Sequence, residues 1–180
     1  DRWLYTANHM QRLGGGFFAG YNVSGVSDDN YFNDFATMAV NQSTNTYLPR
    51  QAGGGWANEF WQTSLQVQTY QTLRPTGTSV APIYNKVPEL TVNGARFDLG
   101  GFDVQSQNTV TRFEMPLDRR FPYGPAGSLR YKPDGSRASS YSSIAYPIVR
   151  PGWYITPKIA LSATQYQTDW YGLDKWYGYG

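Results

Sequence analysis

The 180-residue chain is rich in aromatic residues, with 15 Tyr, 9 Phe and 6 Trp, and its net charge is only +2. That charge is too small, and the Lys and Arg residues are too scattered, to favour nucleic acid as a partner. The absence of Cys excludes a disulfide framework within this chain, and no run approaches the roughly 18 apolar residues that a membrane-spanning helix needs.

Alternation of apolar and polar residues recurs along the chain, and no helix-capping signal precedes an apolar stretch of helical period. Glycine-rich turn signals occur at Gly14–Gly16 and Gly100–Gly101, and Pro and Gly enrich longer connections at 74–88 and 114–136. The pattern predicts about nine strands: Arg2–Arg12, Phe17–Val26, Phe35–Asn41, Tyr47–Trp56, Phe60–Leu73, Glu89–Leu99, Phe102–Phe113, Arg137–Val149 and Trp153–Thr168.

The most regular segment is Phe60–Leu73, where successive side chains would point to opposite faces of a strand. One face would carry Gln62, Ser64, Gln66 and Gln68, and the other Trp61, Thr63, Leu65 and Val67. The last strand repeats the pattern, with Thr156, Lys158, Ser162 and Thr164 opposing Ile155, Ile159, Leu161 and Ala163. The four polar residues of each strand are the candidate lumen-facing residues of a barrel.

Strands of about ten residues with one apolar and one polar face, and aromatic residues near their ends, are typical of outer-membrane β-barrels. The predicted fold is therefore an all-β segment of an antiparallel transmembrane β-barrel, an up-and-down meander that forms part of a larger barrel. Its lumen would be polar and its outer face would contact lipid. Short and long connections do not alternate cleanly in this prediction, so the sidedness of the strands stays open.

Two other classes of protein share this alternation. A passive porin or autotransporter-type barrel predicts the same strands. A soluble all-β carbohydrate-binding module, which stacks exposed aromatic rings on sugars, predicts instead that the apolar faces of two sheets meet in a core. The polar face of Phe60–Leu73 is equally compatible with a sugar-contacting wall and with a generic water-filled lumen.

Residues for catalysis or metal binding are not grouped in a recognisable pattern. His9 is the single histidine, and a Cys–His pair is impossible without Cys. The acidic stretch at Asp28-Asp29-Asn30 lacks the regular ligand spacing of a calcium loop and is typical of a turn. We expect no catalytic, cofactor-binding or metal site in this chain, and no enzyme activity.

Several short motifs occur in one order along the chain: Val26–Phe35, Tyr47–Gln51, Val67–Leu73, Val87–Thr91, Phe97–Asp103 and Tyr146–Tyr154. In that order they resemble the LptD family of lipopolysaccharide-assembly proteins of the Gram-negative outer membrane, also called OstA or Imp. Each motif is short and unspecific by itself, but the collinear set covers nearly the whole chain.

The resemblance implies a very large barrel that transports lipopolysaccharide (LPS) to the outer leaflet. In this family the barrel holds an LptE-type lipoprotein plug and receives LPS from a periplasmic bridge through a domain that precedes the barrel. The sugar portion passes through the lumen, and the acyl chains leave through a lateral opening between the first and last strands. Cations that could contact LPS phosphates, if they face the lumen, are Arg96, Arg112, Lys132, Arg137 and Lys158.

Both chain ends look cut, because there is no initiator Met or signal peptide and Tyr177–Gly180 does not complete a strand. We therefore expect residues 1–180 to be an internal segment of one outer-membrane barrel domain, with no second domain. The lateral opening, the periplasmic domain and the disulfides of the family would lie outside it.

Overall fold

The computed structural model describes residues 1–35, 46–77, 80–81, 83–116 and 133–169. Within these ranges it contains one helical turn, α1 (Tyr31–Asp34), and ten strands. The strands are β1 (Leu4–Gly14), β2 (Phe17–Val26), β3 (Tyr47–Ala57), β4 (Trp61–Thr72), β5 (Asn85–Leu99), β6 (Phe102–Glu114), β7 (Asp134–Ala145), β8 (Ile148–Arg150), β9 (Trp153–Ile155) and β10 (Lys158–Asp169).

Eight of the strands form a single antiparallel sheet in the order β1-β2-β3-β4-β5-β6-β7-β10, and β8 pairs with β9. Neighbours in the sheet are therefore neighbours in the chain, apart from the short β8–β9 pair inserted between β7 and β10. This order confirms the predicted all-β, up-and-down architecture. The sheet is open, with β1 and β10 at its two edges in the described part of the chain.

The connections divide between the two ends of the strands. Tight turns join β1 to β2, β3 to β4, β5 to β6 and β8 to β9, and we call this end the short-turn edge. The strand ends that the long connections 27–46, 73–84 and 115–133 join all lie at the other end, the long-connection edge. Short and long connections thus alternate regularly, which corrects the expectation that they would not.

The short turns rely on glycine where the backbone turns back on itself. Gly14, Gly15 and Gly16 all have positive φ, at 88°, 59° and 85°, and Gly100 and Gly101 follow at 63° and 91°. Other residues rarely adopt these angles, which is why the glycine runs predicted the turns correctly.

The apolar core is a small cluster at the long-connection edge, not a layer beneath the sheet. Val26, Phe32, Leu48 and Leu73 are buried together, and Tyr31 packs against them. In the described residues no second sheet covers the apolar face of the eight-stranded sheet. The two-sheet core that a soluble carbohydrate-binding module would need is therefore missing from this part of the chain.

Several predicted boundaries are wrong, and proline explains two of them. The strand predicted as Arg137–Val149 stops at Ala145, before Pro147, and the one predicted as Trp153–Thr168 breaks at Thr156-Pro157. Proline has no N–H to donate to a β-ladder. Conversely, β5 begins at Asn85 and includes Lys86–Pro88, which were predicted to belong to a loop.

Other differences lie in short segments. The helical turn α1 was not predicted, and Gly53–Gly55 lie within β3 without positive φ. The strand predicted at Phe35–Asn41 falls outside the described residues, apart from Phe35. No helix in the described ranges has the length and apolar character needed to cross a membrane.

Candidate functional site

The candidate site is one whole face of the sheet, which we call the polar face. Residues directly opposite each other in an antiparallel pair point to the same side. The register therefore places polar residues of the neighbouring strands beside those of β4. Gln62, Ser64 and Gln66 of β4 lie opposite Asn93, Thr91 and Glu89 of β5, and Gln68 lies opposite Lys86 beyond a bulge.

Two rows of polar residues continue across the sheet as far as β10. Their members, in strand order, are Gln62, Asn93, Gln107, Tyr141 and Ser162 in the first row, and Ser64, Thr91, Thr109, Ser139 and Thr164 in the second. The register thus places predicted residues from two distant strands on one face.

Lys158 and Thr156 are placed less simply. Lys158 lies opposite Ala145 on the polar-face side of β10, and its ammonium is 5.9 Å from the ring centroid of Tyr141. Thr156 lies in the interruption between β9 and β10, outside any strand. It therefore belongs to the hairpin end and not to the polar rows.

A third row extends toward β1 and consists of amides. Asn8, Asn22, Gln51 and Gln68 face one another across four strands. The amide of Gln68 donates to Gln51 Oε1 at 3.4 Å. Adjacent to this row, Gly20 and Gly53 are paired, and a Cβ on Gly53 would lie only 2.6 Å from the backbone oxygen of Leu65. A side chain at Gly53 would therefore collide with the neighbouring strand.

Glu89 is the centre of the most connected group on the polar face. Its Oε1 accepts a 2.7 Å hydrogen bond from Gln66 Nε2, and its Oε2 accepts one from the Thr111 hydroxyl at 3.0 Å. Lys86 Nζ lies 3.0 Å from the same Oε2. Only 8% of Glu89 is exposed and Thr111 is fully buried. A buried carboxylate needs such partners, because desolvation without them is costly.

Arg137 lies in the same row, opposite Thr111 and Tyr166. Its guanidinium carbon is 5.5 Å from the Phe113 ring centroid, and its buried Nε has no hydrogen-bond partner. It forms no ion pair with any residue that the structure describes. Arg137 is therefore a cation on the polar face that no carboxylate of the described residues neutralises.

The remaining cations singled out from the sequence are placed differently. Arg96 occupies an apolar-face position opposite Val104 and lies 4.8 Å from the Phe60 ring. Arg112 is on the same side and pairs with Glu114 at 3.3 Å and Asp169 at 3.1 Å. Lys132 is outside the described residues.

The opposite side of the sheet, the apolar face, is exposed. Leu65 is 52% exposed, and Ile159 and Leu161 are 71% and 76% exposed. Aromatic rings border this face at the short-turn edge, where Phe102 and Tyr146 lie 4.8 Å apart. Apolar side chains that point outward below an aromatic rim are what a lipid-facing wall requires.

One polar group interrupts the apolar face. Asn108 Nδ2 donates to the Ser106 hydroxyl at 2.9 Å, and the Ser140 hydroxyl donates to Asn108 Oδ1 at 2.7 Å. The hydroxyls of Ser106 and Ser142 are 3.1 Å apart. We call these four residues the serine–asparagine cluster. Because its members bond one another, the cluster is tolerated beside apolar neighbours.

The sequence alone missed Glu89, Asn93 and Gln107 as members of the site. Each lies on a strand whose alternation was visible, but its row depends on the partner strand and on two bulges in β5. The ring of His9 lies 5.8 Å from that of Tyr21, and the described residues contain no group of three or more metal-ligating side chains. The face offers hydrogen bonds and charge.

The sequence pattern of the family described as "LptD: LPS transport system D" matches residues 1–178. This chain belongs to the LptD family. Membership separates it from passive porins and autotransporters, which share its strand pattern.

Relatives of the LptD family match almost the whole chain. "LPS-assembly protein LptD" of Bordetella parapertussis is 46% identical over 174 residues, which is 97% of this chain and 21% of that protein. The proteins of the same name from Cupriavidus necator and Ralstonia nicotianae are 41% and 33% identical over 169 residues, 94% of this chain and 19% of each relative. The chain spans about a fifth of the length of the curated relatives it matches.

Proposed function

We propose that this chain forms part of the wall of an outer-membrane β-barrel that transports LPS and assembles it in the outer leaflet of a Gram-negative bacterium. The observation that carries the proposal is the two-faced open sheet in a member of the LptD family. The polar rows would line the lumen, and the apolar face would contact membrane lipid. The chain would be an internal segment of one barrel domain.

The proposed mechanism is physical. A sugar chain has no polar partners in hydrocarbon, so its passage through a bare bilayer is prohibitively unfavourable. Amides and hydroxyls in rows across the polar face can replace the hydrogen bonds that sugar hydroxyls make with water. Arg137, which forms no ion pair with a described residue, adds a cation suited to a phosphate group. No covalent chemistry is required of these residues.

The partners follow from the same proposal. LPS and an LptE-type lipoprotein plug would contact the polar face, lipid would contact the apolar face, and bridge components would act through parts of the protein beyond this chain. Outer-membrane barrels have short periplasmic turns and longer extracellular loops. The short-turn edge would therefore face the periplasm.

Photocrosslinking in living cells tests the lumen assignment. Benzoylphenylalanine would replace Gln66, Gln107 or Ser162 on the polar face of the full-length protein, and Leu65, Asn108 or Leu161 as matched neighbours on the apolar face. We expect LPS adducts at the first three positions that disappear when the supply of new LPS is blocked. Any LPS adduct at the last three positions, which would face LPS already in the outer leaflet, should persist. Irradiation will also show whether a lipoprotein-sized adduct forms at the same positions.

Each rival function predicts a different result. A generic water-filled pore predicts no LPS adduct at the three polar-face positions. A soluble carbohydrate-binding module predicts a protein that is recovered without detergent. Adducts that depend on the supply of new LPS and occur at the apolar-face positions alone would show that the assignment of the two faces is wrong.

A further inference from the structure

The β8–β9 pair is a continuation of the β7–β10 hairpin beyond the end of the sheet. Ala145 lies opposite Lys158, and the pairing resumes in the same register with Ile148 opposite Ile155. Between them, Tyr146 N donates to the Pro157 carbonyl at 2.9 Å. The prolines interrupt the ladder, but the alternation of faces is preserved.

Among the described residues, no strand neighbours this extension on the β6 side. β6 begins at Phe102, and its first pair with β7 joins Asp103 to Ala145. The hairpin from Pro147 to Thr156 therefore projects past the aromatic contact of Phe102 with Tyr146, at the short-turn edge.

The two faces of the projecting hairpin continue those of the sheet. Trp153 and Ile155 occur at odd positions, like Ile159 and Leu161, and so continue the apolar column of β10. Tyr154 occurs at an even position on the opposite face. Trp153 is 54% exposed, Ile155 55% and Tyr154 80%. An apolar column thus extends past the rim of the sheet.

The composition of the extension indicates what covers that column. Residues 146–157 contain three aromatic rings, one cation (Arg150) and no acidic residue. Arg150 lies opposite Trp153 at the tip. Aromatic rings with polar atoms, together with a cation, are suited to the lipid headgroup region, where one end of the ring is apolar and the other wet.

We infer that the Trp153–Ile155 face of this hairpin, with Arg150 at its tip, lies against the phospholipid headgroups of the leaflet at the short-turn edge. The hairpin then anchors this part of the wall to the membrane surface, beyond the hydrocarbon that the sheet crosses. The inference rests on the lipid-facing part of the proposed function and is independent of LPS transport.

Depth-dependent quenching tests this contact. Single cysteines would replace Trp153, Ile155, Tyr154 or Leu161 in the full-length protein and carry an environment-sensitive nitrobenzoxadiazole dye. The protein would be reconstituted in vesicles of phosphatidylethanolamine and phosphatidylglycerol with spin labels on the headgroup or the mid-chain. The unsubstituted protein treated with the same dye gives the background.

We expect headgroup spin labels to quench the dye at 153 and 155 more strongly than mid-chain labels do. The dye at 154, on the opposite face, should be quenched less by both. The dye at 161 should be quenched most by mid-chain labels. Equal quenching at 153 and 154, or none at 153 and 155, overturns the inference.

The Leu161 position separates the two possible failures. Quenching at 161 without quenching at 153 overturns the headgroup contact and leaves the lipid-facing wall intact. Absence of quenching at 161 overturns the proposed wall itself.

Discussion

The side-chain amide of Gln71 makes the two hydrogen bonds with Val26 that a neighbouring strand would otherwise make. The Val26 N–H donates to Gln71 Oε1 at 3.1 Å, and Gln71 Nε2 donates to the Val26 carbonyl at 2.8 Å. The register of β2 with β3 ends at Val23 opposite Arg50, so Val26 lies where those strands have separated. A glutamine of β4 thereby holds the end of β2 across the intervening strand.

Replacing Gln71 by Leu should destabilise the long-connection edge. The change removes both bonds to Val26 and the 2.7 Å bond from Arg50 Nη2 to Gln71 Oε1. Each buried backbone group left without a partner costs about 1–3 kcal/mol in the free energy of unfolding. Urea unfolding of the reconstituted full-length protein would measure the loss. Gln62→Leu is the matched control, since Gln62 makes no side-chain hydrogen bond with a described residue, and equal losses would contradict the assigned role.

The segment after β2 should loosen in acid. Arg2 donates to both carboxylate oxygens of Asp28, at 2.6 and 2.9 Å, and to Asp34 at 2.6 Å. The hydrogen bond from Arg2, followed by that from Ser27, lowers the pKa of Asp28 below its usual value. Because the folded-state pKa is the lower one, this stabilisation is complete above about pH 4 and is lost as the pH falls through the folded-state pKa.

Hydrogen exchange of α1 measures this acid effect. After correction for the intrinsic exchange rate, protection of Tyr31–Asp34 should be lower at pH 3 than at pH 5. In Asp28→Asn, protection should be low already at pH 5 and change less between the two values. A wild-type profile without any change between these values would contradict the prediction.

Removing the Glu89 carboxylate should destabilise the polar face. In Glu89→Ala, Gln66, Lys86 and Thr111 lose a shared acceptor, and a buried group left unpaired costs about 1–3 kcal/mol. Glu89→Gln, which keeps one acceptor oxygen, should lose less. The temperature at which the folded barrel loses its faster gel mobility reports the difference. Glu59→Ala, in the β3–β4 turn, should leave that temperature unchanged.

The serine–asparagine cluster should show a small, measurable coupling. Asn108→Ala and Ser140→Ala each break the 2.7 Å hydrogen bond between β6 and β7. Side-chain hydrogen bonds in membranes contribute on average about 0.6 kcal/mol and at most about 1.7 kcal/mol. The double mutant should therefore be less destabilised than the sum of the single mutants by a value in this range. Strict additivity would show that the bond does not join the two strands in the membrane.

The sequence predicts which face of a strand each side chain occupies. It does not predict which side chains of neighbouring strands contact each other. Alternation around Leu65 and Leu161 identified two apolar positions that the structure places on one exposed face. The neighbour of Gln66, by contrast, depends on the register of β4 with β5 and on the bulge before Glu89. No local pattern encodes that pairing, because it joins residues more than 20 positions apart.

The helical turn α1 illustrates a second limit. Four residues are too few to form a stable helix by propensity, and too few to show a helical pattern in the sequence. Phe32 is instead buried against Val26 of β2, Leu48 of β3 and Leu73, which directly follows β4. Long-range packing determines this turn, and a single sequence does not reveal it.

The strand order has a consequence for how such walls change in evolution. Since each strand of the main sheet pairs with its neighbours in the chain, a hairpin is the natural module of the wall. Duplication or deletion of two consecutive strands preserves strand direction, the side to which every side chain points, and the end at which each connection emerges. A barrel built in this way can widen or narrow in steps of one hairpin. The gain of a single strand would instead reverse the direction of every strand that follows it.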